Sequence, residues 1–392
     1  MKFPPLVKRI AGEGADAWVT HYEALAARGR GEDVIILSVG DPEVDTPAPV
    51  TERAIAQLRA GDTHYVQAGG RPALREAIAR VHEARCGQRV GAENVVCLAG
   101  AQNALFVASL CLAGGGEEVV TFEPLYPTYP ATIEVSGARL VRVPATTGLR
   151  PDIAALAAHI TPCTRAILWA SPNNPSGVVL REEELAGIAD LARRHDLWLI
   201  VDEVYAGLAP GGRIPSLAAR LPERVVTLGS LSKSHAMTGW RAGWLIGSRD
   251  VIVHAENLAM CMLYGLPGFI QEAAITALSM AGEAEARMRE FCAARQRRFA
   301  AGLRGIGALR ALPPEAGMFM LIDVSATGLT GAQFMHALYA SQRVSVMDGA
   351  AFGRSAAAYV RVCFATDEAT LDAACVRLQR FCEHDLARAG AS

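Results

Sequence analysis

Seven short apolar runs punctuate the middle of the chain, at residues 95–98, 118–122, 139–143, 166–170, 197–201, 225–228 and 243–246. Their apolar residues follow one another without strict alternation, the pattern of strands buried on both faces. Helical spacing separates them. Residues 101–112 read as a helix, and 181–195 as an amphipathic one with Leu185, Ile188, Ala189 and Ala192 on one face. Strands alternating with helices predict an α/β fold with a mostly parallel sheet sandwiched by helices. The rhythm changes after residue 285. A helix at 286–303, an extended segment at 317–324, a helix at 331–341, strands at 344–347 and 359–364 and a last helix from Asp367 predict a smaller α+β domain. The expected division is a large domain at 45–282 and a small domain formed by 1–44 with 283–392.

Composition narrows the function classes. The 392 residues are 51% hydrophobic and 20% charged, with a formal net charge of −2. That balance supports two packed domains and offers no basic surface for nucleic acid or an anionic membrane. The opening residues, broken by Pro4 and Pro5, do not read as a secretory leader. No window holds the roughly 18 unbroken apolar residues of a membrane span. The nine cysteines form no C-x-x-C pair and sit mostly among apolar neighbours. They read as reduced packing residues, with no metal site, in a cytoplasmic protein.

Chemistry enters with lysine. The chain has three, Lys2, Lys8 and Lys233, and takes the rest of its positive charge from arginine. An ε-amine can lose its proton when desolvated and attack an aldehyde, whereas a guanidinium cannot. Lys233 follows a predicted strand, at the sheet edge where ligands bind in such folds. Ser230 and Ser232 precede it and Arg241 follows, a set of neutral donors plus a forked cation suited to phosphate. Asp202 closes the run Leu199-Ile200-Val201, where a carboxylate is costly unless it meets a cation. Tyr205 lies three residues on. Asn173-Asn174-Pro175-Ser176-Gly177 follows another strand and reads equally as a plain turn. Gly100-Ala101-Gln102 opens a helix whose free N–H groups could hold phosphate. Tyr126, in an aromatic–proline loop, could stack on a flat ring or simply pack.

Taken in this order, the motifs resemble those of the class I/II aminotransferases, pyridoxal-phosphate enzymes of fold type I. The resemblance runs from Leu37-Ser38-Val39-Gly40-Asp41-Pro42 to Tyr359-Val360-Arg361-Val362, and Ser-x-Ser-Lys-x7-Arg is its most specific part. It implies that Lys233 carries the cofactor covalently and serves as the base, with Asp202 on the pyridinium nitrogen. Asn174 and Tyr205 would meet the ring oxygen, and Tyr126 would stack on the ring. Ala101, Gln102, Ser230, Ser232 and Arg241 would form the phosphate cup. Arg361 would clamp the substrate carboxylate, with Gly40 offering backbone to it. Tyr65 resembles the tyrosine that reaches the neighbouring subunit's phosphate, which implies a homodimer with shared sites. The implied reaction is ping-pong transfer of an amino group between an amino acid and a 2-oxo acid.

The donor is less sharply marked. Aspartate-type members often carry lysine where this chain has Gln102, which lowers the expectation of an acidic donor. Whole segments, such as residues 232–241 and 257–265, are similar to members that take arginine as donor and pyruvate as acceptor. A cationic donor asks for acidic partners, and Glu13, Asp16 and Asp348 are the candidates. An aspartate or aromatic donor, or β-elimination from cysteine conjugates on the same scaffold, are the alternatives. A DNA-binding regulator built on this fold would need a basic recognition helix that the sequence does not show.

Overall fold

The computed structural model describes residues 2–10 and 18–386. A two-residue strand, β1 (Ile35–Ile36), precedes the seven strands that the apolar runs predict. These are β2 (Val95–Leu98), β3 (Glu118–Phe122), β4 (Arg139–Val143), β5 (Thr164–Ala170), β6 (Trp198–Asp202), β7 (Val225–Ser230) and β8 (Gly243–Ile246). They form one sheet in the order β2-β8-β7-β6-β5-β3-β4. Alternate residues feed opposite cores. Val96, Leu98, Leu168, Ile200 and Val226 pack with Ala104, Leu105 and Ala108 of the helix Ala101–Leu112. Ile167, Trp169, Leu199 and Val201 pack with Leu185, Ile188 and Ala192 of the helix Glu182–His195. Leu168 has no exposed surface, so truncation to alanine would cost about 2–5 kcal/mol. The helix Glu182–His195 carries three glutamates in its first turn and Arg193, Arg194 and His195 in its last. That arrangement complements the helix dipole and fixes where the helix starts and stops.

The sheet is parallel except at β8, which runs against both β2 and β7. The connection from β7 to β8 holds turns and a short 3-10 segment but no α-helix. Without a crossover helix the chain returns from the edge it just left, which makes the pairing antiparallel. That return leaves Lys233 and Arg241 at the sheet's carboxyl edge.

The remaining strands are β9 (Arg310–Leu312), β10 (Phe319–Asp323), β11 (Val344–Ser345), β12 (Met347–Asp348) and β13 (Tyr359–Cys363). An antiparallel sheet, β12-β13-β10-β9, packs with the long helix Ala281–Leu303 around Phe299, Met320, Ile322, Val360 and Val362. β1 pairs in parallel with β11 and ties the N-terminal residues to this part of the chain. The single strand expected at 344–347 is therefore two, because β11 pairs with β1 while β12 pairs with β13. Among the described residues, no helix is long and apolar enough to cross a membrane.

Candidate active site

Register places the site. Ala170 pairs with Asp202 and Asp202 with Leu228, while Ser230 and Leu98 both pair with Gly243. The ends of β2, β5, β6 and β7 thus meet along one edge and border a cavity of about 200 Å³. Lys233 and Arg241 reach it from the β7–β8 connection, Gly40 and Trp18 from the N-terminal segment, and Arg361 and Phe319 from the antiparallel sheet.

Lys233 Nζ donates to the Gly40 carbonyl at 2.5 Å. Burial lowers its pKa, Arg361 and Arg241 add to this, and Cys363 and Asp41 oppose it. The amine is therefore easier to deprotonate than one on the surface. Asp202 accepts from the Tyr129 hydroxyl at 2.7 Å and from the Val204 N–H at 3.1 Å. Burial raises its pKa although both donors and Lys233 act to lower it. Among the described residues it forms no ion pair, so its charge calls for a cation in the cavity.

The opposite wall poses the complementary problem. Arg361 is 2% exposed, donates to Asn174 Oδ1 at 3.0 Å and to the Ser38 carbonyl at 2.5 Å, and leaves its Nε without a partner. Its guanidinium sits 4.2 Å from the centre of the Phe319 ring and 4.8 Å from that of Phe352. No acid among the described residues pairs with it, and burial lowers its pKa. A buried cation with a spare donor is poised for a carboxylate.

Donors that could receive an oxyanion border the same cavity. Ser232 N–H donates to Ser230 Oγ at 3.0 Å, and Ser230 Oγ donates to Ser232 Oγ at 2.8 Å. Arg241 donates to the carbonyls of Thr238 and Ala99 and has no acid partner among the described residues. Gly100, at φ 83°, precedes the helix that starts at Ala101 and Gln102. A Cβ on Gly100 would lie 2.5 Å from Arg241 Nη2, and one on Gly243 would lie 2.5 Å from the Gly100 carbonyl carbon. Both glycines let the helix N-terminus, the β8 backbone and Arg241 close on one point.

Tyr126, Asn174 and Tyr205 also line the cavity, so of the residues expected to meet the cofactor or the substrate carboxylate all but Tyr65 border it. Burial raises the pKa of both tyrosines. Tyr65 is 87% exposed, its ring 4.7 Å from that of Tyr264. Asp348 is not among the lining residues; its carboxylate accepts from the Ala350 N–H and caps the following turn. Its role here is the ordinary one of a turn aspartate. Glu13 and Asp16 lie outside the described residues. Sequence reasoning missed Trp18, Tyr129, Thr238 and Phe319, which line the cavity from four separate segments. Tyr129 had a signal, because it shares the aromatic–proline loop with Tyr126. Glu203, beside Asp202, borders a separate void of about 10 Å³ with Arg85, His235 and Glu285. Its Oε1 has no partner, and burial pushes its pKa up to about 7.

An acid needing a cation, a set of hydroxyl and guanidinium donors suited to phosphate and an amine that borders the same cavity are the groups pyridoxal phosphate would require, and the residues present fit it. Comparison with known proteins agrees. Residues 32–378 match the family aminotransferase class I and II. The chain is 46% identical to an arginine–pyruvate transaminase of Pseudomonas aeruginosa, covering 96% of this chain and 97% of that one. It is 31% identical to an aspartate aminotransferase of Pyrococcus horikoshii, covering 90% and 91%. Its fold superposes on the Thermus thermophilus aspartate aminotransferase with maleate at a TM-score of 0.91 and 31% identity, covering 97% and 99%. By sequence, by fold and by the residues gathered at one sheet edge, the chain belongs to the class I and II aminotransferases, pyridoxal-phosphate-dependent enzymes of fold type I.

Proposed function

We propose that this aminotransferase moves an amino group from a basic amino acid, with arginine as first choice, to a 2-oxo acid such as pyruvate, in two alternating half-reactions. The observation that carries the proposal is Arg361, a buried guanidinium with an unpartnered Nε and no acid beside it among the described residues. The α-carboxylate common to both substrates supplies the missing anion. Asn174 and the Ser38 carbonyl hold the guanidinium plane, and Phe319 and Phe352 exclude water from its faces. A carboxylate docked there brings the donor's Cα toward Lys233. When bound, pyridoxal phosphate supplies a ring that withdraws electrons from that Cα. The Lys233 amine, whose pKa burial lowers, takes the Cα proton and returns it during each half-reaction.

The donor reading has two supports. The Pseudomonas relative at 46% identity is named for arginine and pyruvate. Gln102 carries no charge, and its amide is engaged by Thr128 and Thr132, which suits a donor without a second carboxylate. We further propose that the enzyme works as a homodimer, with Tyr65 reaching the partner's phosphate site. The exposed Tyr65–Tyr264 pair adjoins the end of the helix Arg249–Met262, where Met260 and Met262 are also exposed, a surface that a second copy would cover. The division into 45–282 and 1–44 with 283–392 remains our assignment of the two domains.

A screen of donors against pyruvate tests the substrate. Arginine should give a higher kcat/KM than aspartate, phenylalanine or methionine. Good turnover of acidic or aromatic donors with none of arginine would remove the reading.

A further inference from the structure

A guanidino donor raises a question the cavity itself answers. Its far end carries a planar cation, yet Asp202 is the one acid among the described lining residues, at the floor beside Tyr129. What the wall does offer is an indole. Trp18 lines the cavity, packs against the cluster of Met347, Phe352 and Ala356, and meets the His21 ring edge-on at 5.6 Å. Phe352 is the ring that also carries the Arg361 guanidinium at 4.8 Å. His21 in turn hydrogen-bonds Ser38 at 2.9 Å, and the Ser38 carbonyl accepts from Arg361. Trp18 is therefore braced by the same groups that hold the carboxylate clamp.

We propose that Trp18 determines donor specificity by receiving the planar cationic end of the side chain on its ring. The inference rests on the donor reading above and names the residue that reads that donor. An indole attracts a guanidinium through its ring quadrupole and needs no counter-charge, and among side chains it does so best. A Trp wall also tolerates long apolar stems, so charge is read as an increment on top of packing. The expected increment for a partly desolvated contact is roughly tenfold in binding.

The test compares the holoenzyme with Trp18→Phe and Trp18→Ala on three donors: arginine, citrulline, which keeps length and planarity without charge, and methionine. Wild type should prefer arginine to citrulline by roughly tenfold in kcat/KM, W18F should retain part of that preference, and W18A should lose it while methionine changes less. Calorimetric binding of the 2-hydroxy analogues of arginine and citrulline, which carry no amine to transfer, should show the same ordering. If W18A keeps the arginine-to-citrulline ratio, or if all three donors fall by one common factor, Trp18 does not read the charge and the proposal fails while arginine remains the donor. If wild type ignores arginine and citrulline yet transaminates methionine, the donor reading itself is lost and this role goes with it.

Discussion

Replacing Arg361 by methionine separates binding chemistry from folding. The side chain is almost fully buried, makes two hydrogen bonds to neutral oxygens and lies between two phenylalanine rings. Burying an ion costs several kcal/mol even after relaxation. The hydrogen bonds to neutral oxygens and ring contacts of about 0.5–2 kcal/mol each offset part of that. Methionine fills the slot between the rings, and Asn174 borders the cavity, where water can take the lost donor's place. Folding stability of R361M should therefore fall by no more than about 1 kcal/mol, or rise. Catalysis should behave otherwise. A carboxylate held by two charge-assisted hydrogen bonds loses about 3–6 kcal/mol, which corresponds to about 10²–10⁴ in kcat/KM. Single-turnover absorbance of the bound cofactor after mixing with donor gives the catalytic loss, and urea unfolding of the same protein gives the change in stability. Arg361→Lys, which keeps charge and loses the fork, should fall between wild type and R361M. A kcat/KM within tenfold of wild type would refute the clamp. So would a loss of stability above about 3 kcal/mol, because the residue would then be structural.

Glu203 gives a pH signature. Its folded pKa is raised to about 7 by burial, so the folded state keeps a proton that the unfolded chain releases. The stability from that proton is present below the unfolded carboxyl range and is lost as pH rises toward 7. Measured against Glu203→Gln, wild type should lose about 2.5 kcal/mol between pH 5 and 8, read by urea unfolding; equal slopes would show that Glu203 is ionised throughout. Gly243→Ala should push the helix N-terminus away from Arg241 and weaken pyridoxal phosphate binding by at least about tenfold, followed by quenching of tryptophan fluorescence. Paired Tyr65→Asp and Tyr264→Asp changes should shift sedimentation from dimer to monomer, and an unchanged dimer would move the interface elsewhere. Borohydride reduction in the presence of the cofactor, followed by peptide mapping, should leave the label on Lys233.

Most of the large sheet was readable because burial on both faces leaves uninterrupted apolar runs. β2, β3, β4 and β8 begin and end where the sequence expects. The direction of β8 was not readable, since polarity patterns do not reveal whether a connection crosses over or turns back. Helices such as Arg249–Met262 and Gly268–Ser279 also went unremarked. The second is apolar around most of its circumference, with Gly268, Gln271, Ala273, Ala274, Ala277 and Leu278 buried, so it shows little periodicity. The site was legible where a charge stands in an apolar context, as with Asp202, Lys233 and Arg361. It was illegible where an ordinary aromatic gains its role through tertiary convergence. Trp18 and Phe319 are some 300 residues apart in sequence and share one cavity. Asp348 shows the reverse case, a carboxylate near the expected loop that caps its own turn through Oδ1 and does not line the cavity.

The enclosure of Lys233 has a practical side. Reagents that modify lysine meet three targets in this sequence: Lys2, Lys8 and this one inside the cavity. Its many arginines are inert to them. Cross-linking or surface attachment through lysine will therefore run mainly through Lys2 and Lys8. Acylation of Lys233 becomes a direct count of empty sites, readable as a mass increment on one peptide.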